Sequence, residues 1–363
     1  MRFAALIAAL TAMLIAFACE VFGSGWLKPS TNAPPVDPVP RPDVTNAPPV
    51  TPPAIVREWT YKSIWSKGGD EKIMDIQAVP RGAVISYYDR KTRTDSWIDE
   101  RGPDGWKRIW SGDEETIGES PTLGSAAHKG GLVYAAERGR TFLRYDYATG
   151  KIGRLAKVPD GYKWNVFASV WSNRNTVAVG ADGPDTQAAV FDAYTGKRLF
   201  DSKLNGLIAG MAEDAAGVMW LAVSDGQAGV CTSDGRSWRD FKAASIAHPW
   251  GYPVAGSMSD GWLWRYRDGK WSKWINMDCS KVNRLAIMQR AGRPLLLVAA
   301  SKPDTFAVIH EDGTTERLNR FTDEKKESSG EQFDTCIAPE SETTVLFGRA
   351  KAKGCEVYLG TVK

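Results

Sequence analysis

The chain has 363 residues, 43% of them hydrophobic, and includes 35 glycines and 15 tryptophans. That hydrophobic content excludes a fully disordered chain, and the length allows a large buried core. The 46 basic and 43 acidic residues nearly balance, which argues against a dedicated nucleic-acid-binding protein, whose surface carries an excess of basic residues.

The N-terminus has the pattern of an export signal. Arg2 supplies a short positive region, and an almost wholly apolar stretch runs from Phe3 to Phe17, followed by the small residue Ala18. This stretch is shorter than the roughly 20 residues that a membrane-spanning helix needs. We therefore predict a secretory signal peptide over residues 1–18.

The residue after the predicted cleavage position is Cys19. A cysteine at this place resembles the signal of bacterial lipoproteins, and the resemblance implies lipidation of Cys19 and a Gram-negative periplasmic or outer-membrane location. Plain secretion is the alternative, and an uncleaved anchor is a third interpretation, which the acidic Glu20 disfavours. We predict an exported protein held to a membrane by a lipid.

A proline-rich segment separates the predicted lipid anchor from the rest of the chain. Residues 28–54 contain no aromatic residue, and the hexapeptide Thr-Asn-Ala-Pro-Pro-Val at 31–36 recurs at 45–50. Repeated prolines remove backbone donors and favour extended polyproline II, which builds no packed core. Residues 19–57 are therefore predicted to form the anchor candidate and a spacer, with a docking peptide for a proline-binding domain as the alternative.

Six glycine turns recur through the remaining chain, each between two short apolar strands. The turn glycines are Gly105, Gly150, Gly196, Gly235, Gly269 and Gly313. Their intervals range from 34 to 46 residues. A repeat of about 40 residues with a hairpin in every period is typical of a β-propeller, in which four-stranded blades surround a central channel. We predict an all-β propeller domain over residues 58–363.

The strands around these turns indicate how the ring closes. Seven inner strands are predicted but only six outer strands follow a turn, and blade five is assigned an inner strand at Pro253–Met258 and a second strand at Gly261–Trp264. The alternating segment Trp59–Trp65 supplies the missing outer strand. The sequence predicts seven four-stranded blades closed by this N-terminal strand. Six blades is the alternative, because one glycine interval is short.

Two turn segments, Tyr145–Lys151 and Phe191–Lys197, resemble the repeat of quinoprotein-like propellers, a family that includes periplasmic assembly lipoproteins. The segment Thr232–Trp238 looks like a shortened Asp-box, a hairpin of sialidase-type propellers. Both resemblances imply the propeller fold. They imply no activity, because the matching residues stabilise hairpins.

Four cysteines lie in the predicted domain. An exported chain meets an oxidising compartment, so two disulfides with three connectivities are open. No pair has the CxxC spacing of a metal site. The disulfide candidates are Cys231, Cys279, Cys336 and Cys355.

The sequence contains no catalytic motif. His128, His248 and His310 are scattered without metal-binding spacing, and neither a GxSxG elbow nor a P-loop occurs. A sialidase-type hydrolase would need three converging arginines and a Tyr/Glu pair, and Arg284 is the nearest case of an arginine at the start of an inner strand. We predict no catalytic residue, no metal and no cofactor.

Loops at one rim of a propeller and the entrances of its inner strands line a funnel. Aromatic rings there grip a sugar or a peptide, since they combine apolar area with a polar handle. The loop His248–Pro253 contains two prolines and is predicted to be rigid. The predicted ligand-binding residues are Glu119, Trp164, Asn165, Trp250, Tyr252, Arg284 and Gln332, with Lys72, Asp75, Asn283 and Asp334 as further funnel candidates.

These observations favour a non-enzymatic binding or assembly scaffold. The protein is predicted to be a monomer displayed at a bacterial envelope, where it binds an envelope protein or a glycan. No feature indicates a nucleic-acid partner. Two alternatives stay open: a carbohydrate-active propeller, either a lectin or a sialidase-like glycosidase, and a phage-encoded or virion-surface adhesion protein.

Overall fold

The structure of the protein is a computed structural model. It describes residues 58–80, 82–89, 91–92, 95–112, 121–136, 141–157, 170–173, 177–182, 187–224, 226–321, 335–351 and 353–362. The predicted signal peptide, Cys19 and the proline-rich spacer up to residue 57 lie outside these ranges.

The secondary structure in the described ranges is β-strand. No helix there is long and apolar enough to cross a membrane. Each strand pairs antiparallel with its neighbours, and the described strands form seven four-stranded sheets, the blades. The predicted all-β propeller with four-stranded blades is confirmed.

The first strand along the chain, β1 (Trp59–Lys67), belongs to the last blade. Blades one to three comprise β2 (Glu71–Val79), β3 (Gly82–Asp89), β4 (Ser96–Gly102) and β5 (Gly105–Gly112), then β6 (Pro121–His128), β7 (Gly131–Ala136), β8 (Thr141–Asp146) and β9 (Lys151–Lys157), then β10 (Val170–Ser172), β11 (Val177–Asp182), β12 (Gln187–Asp192) and β13 (Arg198–Asn205).

The remaining strands continue this order. Blades four to six comprise β14 (Leu207–Glu213), β15 (Met219–Ser224), β16 (Gly229–Thr232) and β17 (Ser237–Trp238), then β18 (Ala243–Ala247), β19 (Val254–Ser257), β20 (Trp262–Arg267) and β21 (Lys270–Asn276), then β22 (Lys281–Arg290), β23 (Arg293–Ser301), β24 (Asp304–Ile309) and β25 (Thr315–Phe321). Blade seven comprises β26 (Thr335–Pro339), β27 (Thr344–Ala350), β28 (Cys355–Val362) and, at its outer edge, β1.

The six predicted glycine turns all join the third strand of a blade to its fourth. Gly105, for example, lies at the β4–β5 turn, and Gly313 lies between β24 and β25. All six glycines have φ between 66° and 103°, a region that residues with a Cβ rarely adopt. Blade seven lacks such a turn because its fourth strand, β1, comes from the other end of the domain. Six blades are therefore continuous in sequence, and the seventh sheet is composite.

The strand β1 closes the ring, as the sequence predicts. It pairs antiparallel with β28, from Trp59 opposite Val362 to Lys67 opposite Cys355. The ring of the buried Trp65 lies 5.0 Å from that of Tyr87 in blade one. This strand therefore completes blade seven and also contacts blade one.

A buried carboxylate fixes the other end of β1 to blade six. Glu316 of β25 has a side chain that is 0% exposed. It accepts hydrogen bonds from Trp59 Nε1 at 3.1 Å, from Arg290 Nη1 at 2.8 Å and from His310 Nε2 at 2.8 Å. Because Trp59 is the first residue of β1, Glu316 links the closing strand to the neighbouring blade.

The hydrophobic core lies between the blades. Strand β23 buries every residue from Leu295 to Ala300, since a blade packs against a neighbour on each of its faces. Aromatic contacts continue this packing from blade six to blade seven, where the ring centroids of Phe306 and Phe347 are 4.7 Å apart. Both faces of every blade are covered only when the ring is closed.

Blade five differs from the sequence prediction by one strand. Its inner strand is Ala243–Ala247, and Val254–Ser257, which was predicted to be the inner strand, is the second. The five residues Ala-Ala-Ser-Ile-Ala have little intrinsic strand preference, yet all five are buried. Small side chains in this strand allow a close approach to the preceding inner strand: a Cβ on Gly210 of β14 would lie 2.9 Å from Ser245 Cα.

The four cysteines of the described ranges are free thiols, and no disulfide joins any two of them. Cys336 and Cys355 are the closest pair in sequence, but β27 lies between their strands. Neighbouring strands are about 4.8 Å apart, so two steps exceed the roughly 7 Å that a disulfide allows between Cα atoms. Cys231 and Cys279 lie in different blades, in β16 and just after β21.

Candidate functional site

The structure separates the predicted ligand-binding residues into two groups. Arg284 lies near the start of an inner strand, β22, whereas Trp250 and Tyr252 follow the end of another, β18. Since every blade repeats the same path, inner strands start at one rim and end at the opposite rim. The predicted single funnel therefore does not hold both groups. Outside the described residues lie Glu119, Trp164, Asn165, Gln332 and Asp334.

A groove of about 720 Å³ lies at the rim where the inner strands of blades five and six end. It is formed by four turns, two from each blade, which include the Trp250 loop and the turn after Arg267. Its lining residues are Trp250, Arg267, Arg293, Pro294, Leu295, His310, Glu311 and Asp312. We call it the rim groove.

Sequence reasoning identified Trp250 as a binding residue and missed the other residues that line the rim groove. A usable signal was nevertheless present in the glycine turns. The turns at Gly269 and Gly313 occupy the same place in consecutive blades, so the residues beside them must be neighbours at one rim. Arg267 and Glu311 precede these two glycines by two residues each and line the groove together.

Trp250 is held in place by its surroundings. Its indole Nε1 donates a hydrogen bond of 2.8 Å to the carbonyl oxygen of Pro294 in blade six. Its ring lies 5.6 Å from Trp274 in an edge-to-face arrangement and 5.9 Å from Tyr252. These contacts hold Trp250 of blade five against blade six. Because the ring is already ordered, it loses little conformational entropy on binding a ligand.

Arginine side chains lie on and beside this aromatic group. The guanidinium carbon of Arg267 is 4.0 Å from the ring centre of Tyr252, and that of Arg265 is 5.5 Å from Trp274. Arg267 also forms an exposed ion pair of 3.5 Å with Glu311. Burial and the neighbouring charge of Arg267 lower the pKa of Arg265. The rim groove thus combines flat apolar surfaces with charges of both signs, since Arg267 and Arg293 line it together with Glu311 and Asp312.

The inner strands of blades one, four and five share a β-bulge that points towards the channel. The register of β2, β14 and β18 shifts at Met74, Ala209 and Ala244. These three side chains belong to one buried cluster, although their blades are one, four and five, so they meet across the axis. A bulge changes the direction in which the extra residue points. Here the three extra side chains fill part of the channel with apolar atoms.

Blade six has a polar side chain at the equivalent bulge. Asn283 is fully buried, and its Nδ2 donates to Ser301 Oγ at 3.1 Å and to Thr335 Oγ1 at 2.9 Å. The next residue, Arg284, has buried Nε and Nη2 atoms without a hydrogen-bond partner. Burial raises the pKa of Asp75 on β2, and the positive charge of Arg284 opposes this. We call these residues, Asn283, Arg284, Thr335 and Asp75, the channel patch.

The rim groove is suited to binding by charge and aromatic contact, and the channel patch is suited to binding by charge and hydrogen bonds. Among the residues that the structure describes, no three His, Cys, Asp or Glu side chains are grouped to hold a metal ion. Burial raises the pKa of the Cys231 and Cys336 thiols, which keeps them protonated and weakly nucleophilic.

Comparisons with known proteins support the fold. No protein-family model matches the sequence, and no curated protein matches it. Virginiamycin B lyase from Staphylococcus aureus is similar in structure, with a TM-score of 0.56 and 12% identity over 84% of this chain and 100% of that one. A structure of YCF48 bound to a D1 peptide is similar with a TM-score of 0.53 and 11% identity, over 84% of this chain and 95% of that one. At such identities the likeness shows the β-propeller fold alone.

Proposed function

We propose that the protein is a non-enzymatic binding scaffold that holds a segment of a partner protein in the rim groove. The observation that carries this proposal is the grouping of aromatic rings and arginines around one groove shared by two blades. Trp250 and Arg267 line the groove, and Tyr252 packs against both. Tryptophan, tyrosine and arginine are the residues that most often dominate the binding energy of protein interfaces.

The arginines at the rim groove favour a partner segment that carries a carboxylate, and the acidic Glu311 and Asp312, which line the same groove, restrict that carboxylate to the arginine side. Arg265 and Arg267 lie close enough for one charge to act on the pKa of the other, and Arg293 lines the same groove. A carboxylate from a partner would reduce the repulsion among these guanidinium groups and accept charge-assisted hydrogen bonds from them. An apolar or aromatic side chain of the partner would pack against Trp250.

A protein partner is favoured over a glycan by the arrangement of the aromatic rings. A sugar stacks on the open face of a ring, but the guanidinium of Arg267 already covers Tyr252 at 4.0 Å. YCF48, which has a similar fold, is bound to a peptide in its solved structure, and this is compatible with peptide binding by a propeller. Glycan binding, as by a lectin, is the alternative that the following experiment distinguishes.

The proposal is tested by binding the purified full chain to two arrays, one of glycans and one of acidic peptides with and without an aromatic residue. We expect selective retention of the acidic peptides that contain an aromatic residue, and weaker retention at high salt because rim charges are screened. Trp250→Ala should weaken peptide binding about 30-fold, the equivalent of a hot-spot loss of about 2 kcal/mol.

Trp262→Ala provides the matched control. Like Trp250, Trp262 is half-buried, and Lys273 Nζ lies 5.2 Å from its ring centre. It begins β20, a strand that ends at the rim groove, so it lies at the opposite rim. This variant should bind peptides like the unaltered chain. Glycan retention that depends on Trp250 would support the lectin instead, and equal binding by both variants would reject the rim groove.

The cellular location is proposed from the N-terminal sequence. We infer a lipoprotein of a Gram-negative envelope, in which residues 19–57 hold the propeller away from the membrane. Cys19→Ser should move the protein from the membrane fraction to the soluble fraction and remove the mass of the lipid. Cys279→Ser, which alters a cysteine of the propeller, should change neither. A Cys19→Ser protein that still sediments with membranes at an unchanged mature mass contradicts lipidation.

A further inference from the structure

The channel patch contains a buried amide oxygen that the protein does not satisfy. Asn283 is 0% exposed, and the hydrogen bonds of its Nδ2 to Ser301 and Thr335 fix the orientation of the amide. Its Oδ1 is therefore held in one direction, and it accepts no hydrogen bond. Burying a polar atom without a partner is unfavourable, so this oxygen indicates a place for a donor from outside the chain.

The adjacent arginine presents a complementary pair of donors. Arg284 Nε and Nη2 are both buried and both without an acceptor. Their N–H bonds lie side by side on one edge of the guanidinium, the geometry that a carboxylate accepts with both oxygens. Arg284 as a whole is only half-buried, so solvent reaches the part of the side chain outside these two donors.

Among the four inner strands described with this one-residue bulge, only the strand of blade six has a polar side chain at the bulge. The bulge that carries Asn283 carries Met74, Ala209 and Ala244 in blades one, four and five. Apolar residues at this position fill the channel without leaving polar atoms unpaired. Asn283 and Arg284 therefore give one side of the channel a hydrogen-bonding surface that the packing of the ring does not require.

We propose that the channel patch binds a small carboxylate that also carries a hydroxyl or amino group. The carboxylate accepts from Arg284 Nε and Nη2, and the hydroxyl or amino group donates to Asn283 Oδ1. The carboxyl of Asp75 is close enough to Arg284 for the arginine's charge to act on its pKa. A negative charge on Asp75 repels a dianion bound at Arg284 more strongly than a monoanion. This favours a carboxylate over phosphate.

The proposal is tested by calorimetric titration of the full chain with lactate, propionate and inorganic phosphate. Lactate and propionate differ by the hydroxyl that would reach Asn283. We expect lactate to bind about tenfold more tightly than propionate, since one hydrogen bond is added, and phosphate to bind more weakly than either. Lactate should also raise the melting temperature, because a ligand that binds only the folded state stabilises it.

Arg284→Lys keeps the charge but removes the paired donors, and it should weaken lactate binding at least tenfold. The control, Arg293→Lys, makes the same change in the rim groove at the opposite rim, and it should leave lactate binding unaltered. The proposal is overturned if lactate does not bind at millimolar concentration, if Arg284→Lys binds it normally, or if phosphate binds as tightly. Equal affinities for lactate and propionate would overturn the part played by Asn283.

A measurement on the unaltered chain covers the case in which Arg284→Lys does not fold. With ¹⁵N-arginine labelling, lactate should shift one Nε–H resonance, because the ligand accepts from that group. A spectrum in which no arginine Nε–H signal moves overturns the proposal. The channel patch and the rim groove lie at opposite rims and use different probes, so either proposal can fail without the other.

Discussion

Deletion of residues 58–66 is expected to unfold the whole propeller domain. The deletion removes nearly all of β1, which pairs with β28 and buries Trp65 against blade one. Loss of a buried tryptophan alone costs about 3–5 kcal/mol, and the open edge of β28 and two uncovered cores add to that. A domain with a total stability of about 5–15 kcal/mol cannot absorb such a loss. Calorimetry and near-ultraviolet circular dichroism should show no cooperative transition.

A deletion of the same length in the proline-rich segment provides the control. Removal of residues 31–39 shortens the chain equally and takes away no strand that the structure describes. Its melting temperature should equal that of the unaltered protein. If the 58–66 deletion also kept that melting temperature, closure of the ring by β1 would be contradicted.

Replacement of Glu316 by glutamine is expected to lower the free energy of unfolding by about 3–5 kcal/mol, the usual cost of removing one partner of a buried ion pair. The side chains of Glu316 and Arg290 are 0% and 11% exposed. Glutamine keeps the shape of the side chain but leaves the Arg290 charge unpaired. It also weakens the hydrogen bond that holds Trp59 at the start of β1. Denaturant unfolding measures the difference.

The same carboxylate should make the protein less stable in acid. Burial by itself would raise the pKa of Glu316, but hydrogen bonds from His310 and Arg290 outweigh it and hold the pKa below its ordinary value. A group whose pKa is lower in the folded state stabilises that state above the unfolded pKa and ceases to do so as the pH falls through the folded pKa. Stability should therefore decrease below about pH 4.5, the ordinary value, and less steeply in Glu316→Gln.

Glu311→Gln is the matched control for both measurements. Glu311 lies five residues away on the same hairpin, but its side chain is 59% exposed and its ion pair with Arg267 measures 3.5 Å. Exposed pairs of this kind contribute at most about 1 kcal/mol. Equal losses of stability in the two variants, or identical pH profiles, would show that Glu316 does not act as the buried link between β1 and blade six.

The sequence by itself determined the features that depend on neighbours along the chain. Each turn glycine marks a hairpin because the left-handed backbone there is costly for any residue with a Cβ. The regular interval then indicates the repeat, and the alternation of Trp59–Trp65 indicates a half-buried strand with no partner of its own. These local signals sufficed to predict the propeller, its four-stranded blades and the strand that closes it.

Blade five shows where local signals fail. Ala243–Ala247 has weak strand preference, so the sequence predicts that the next apolar segment, Pro253–Met258, is the inner strand. Burial between neighbouring blades makes the weaker segment the inner strand, because small side chains allow close packing at the axis. This shift of one strand moved Trp250 and Tyr252 from the predicted funnel to the opposite rim.

Only the tertiary structure decided which distant residues share a site. The rim groove joins turns from two blades, and Glu316 meets Trp59 across 257 positions of sequence. Such contacts depend on the order and closure of the blades, which no local preference encodes. Arg284 could be singled out by its place at the start of an inner strand. Its unpaired donor edge beside Asn283 became visible only when the packed channel showed which hydrogen bonds the protein makes and which it leaves open.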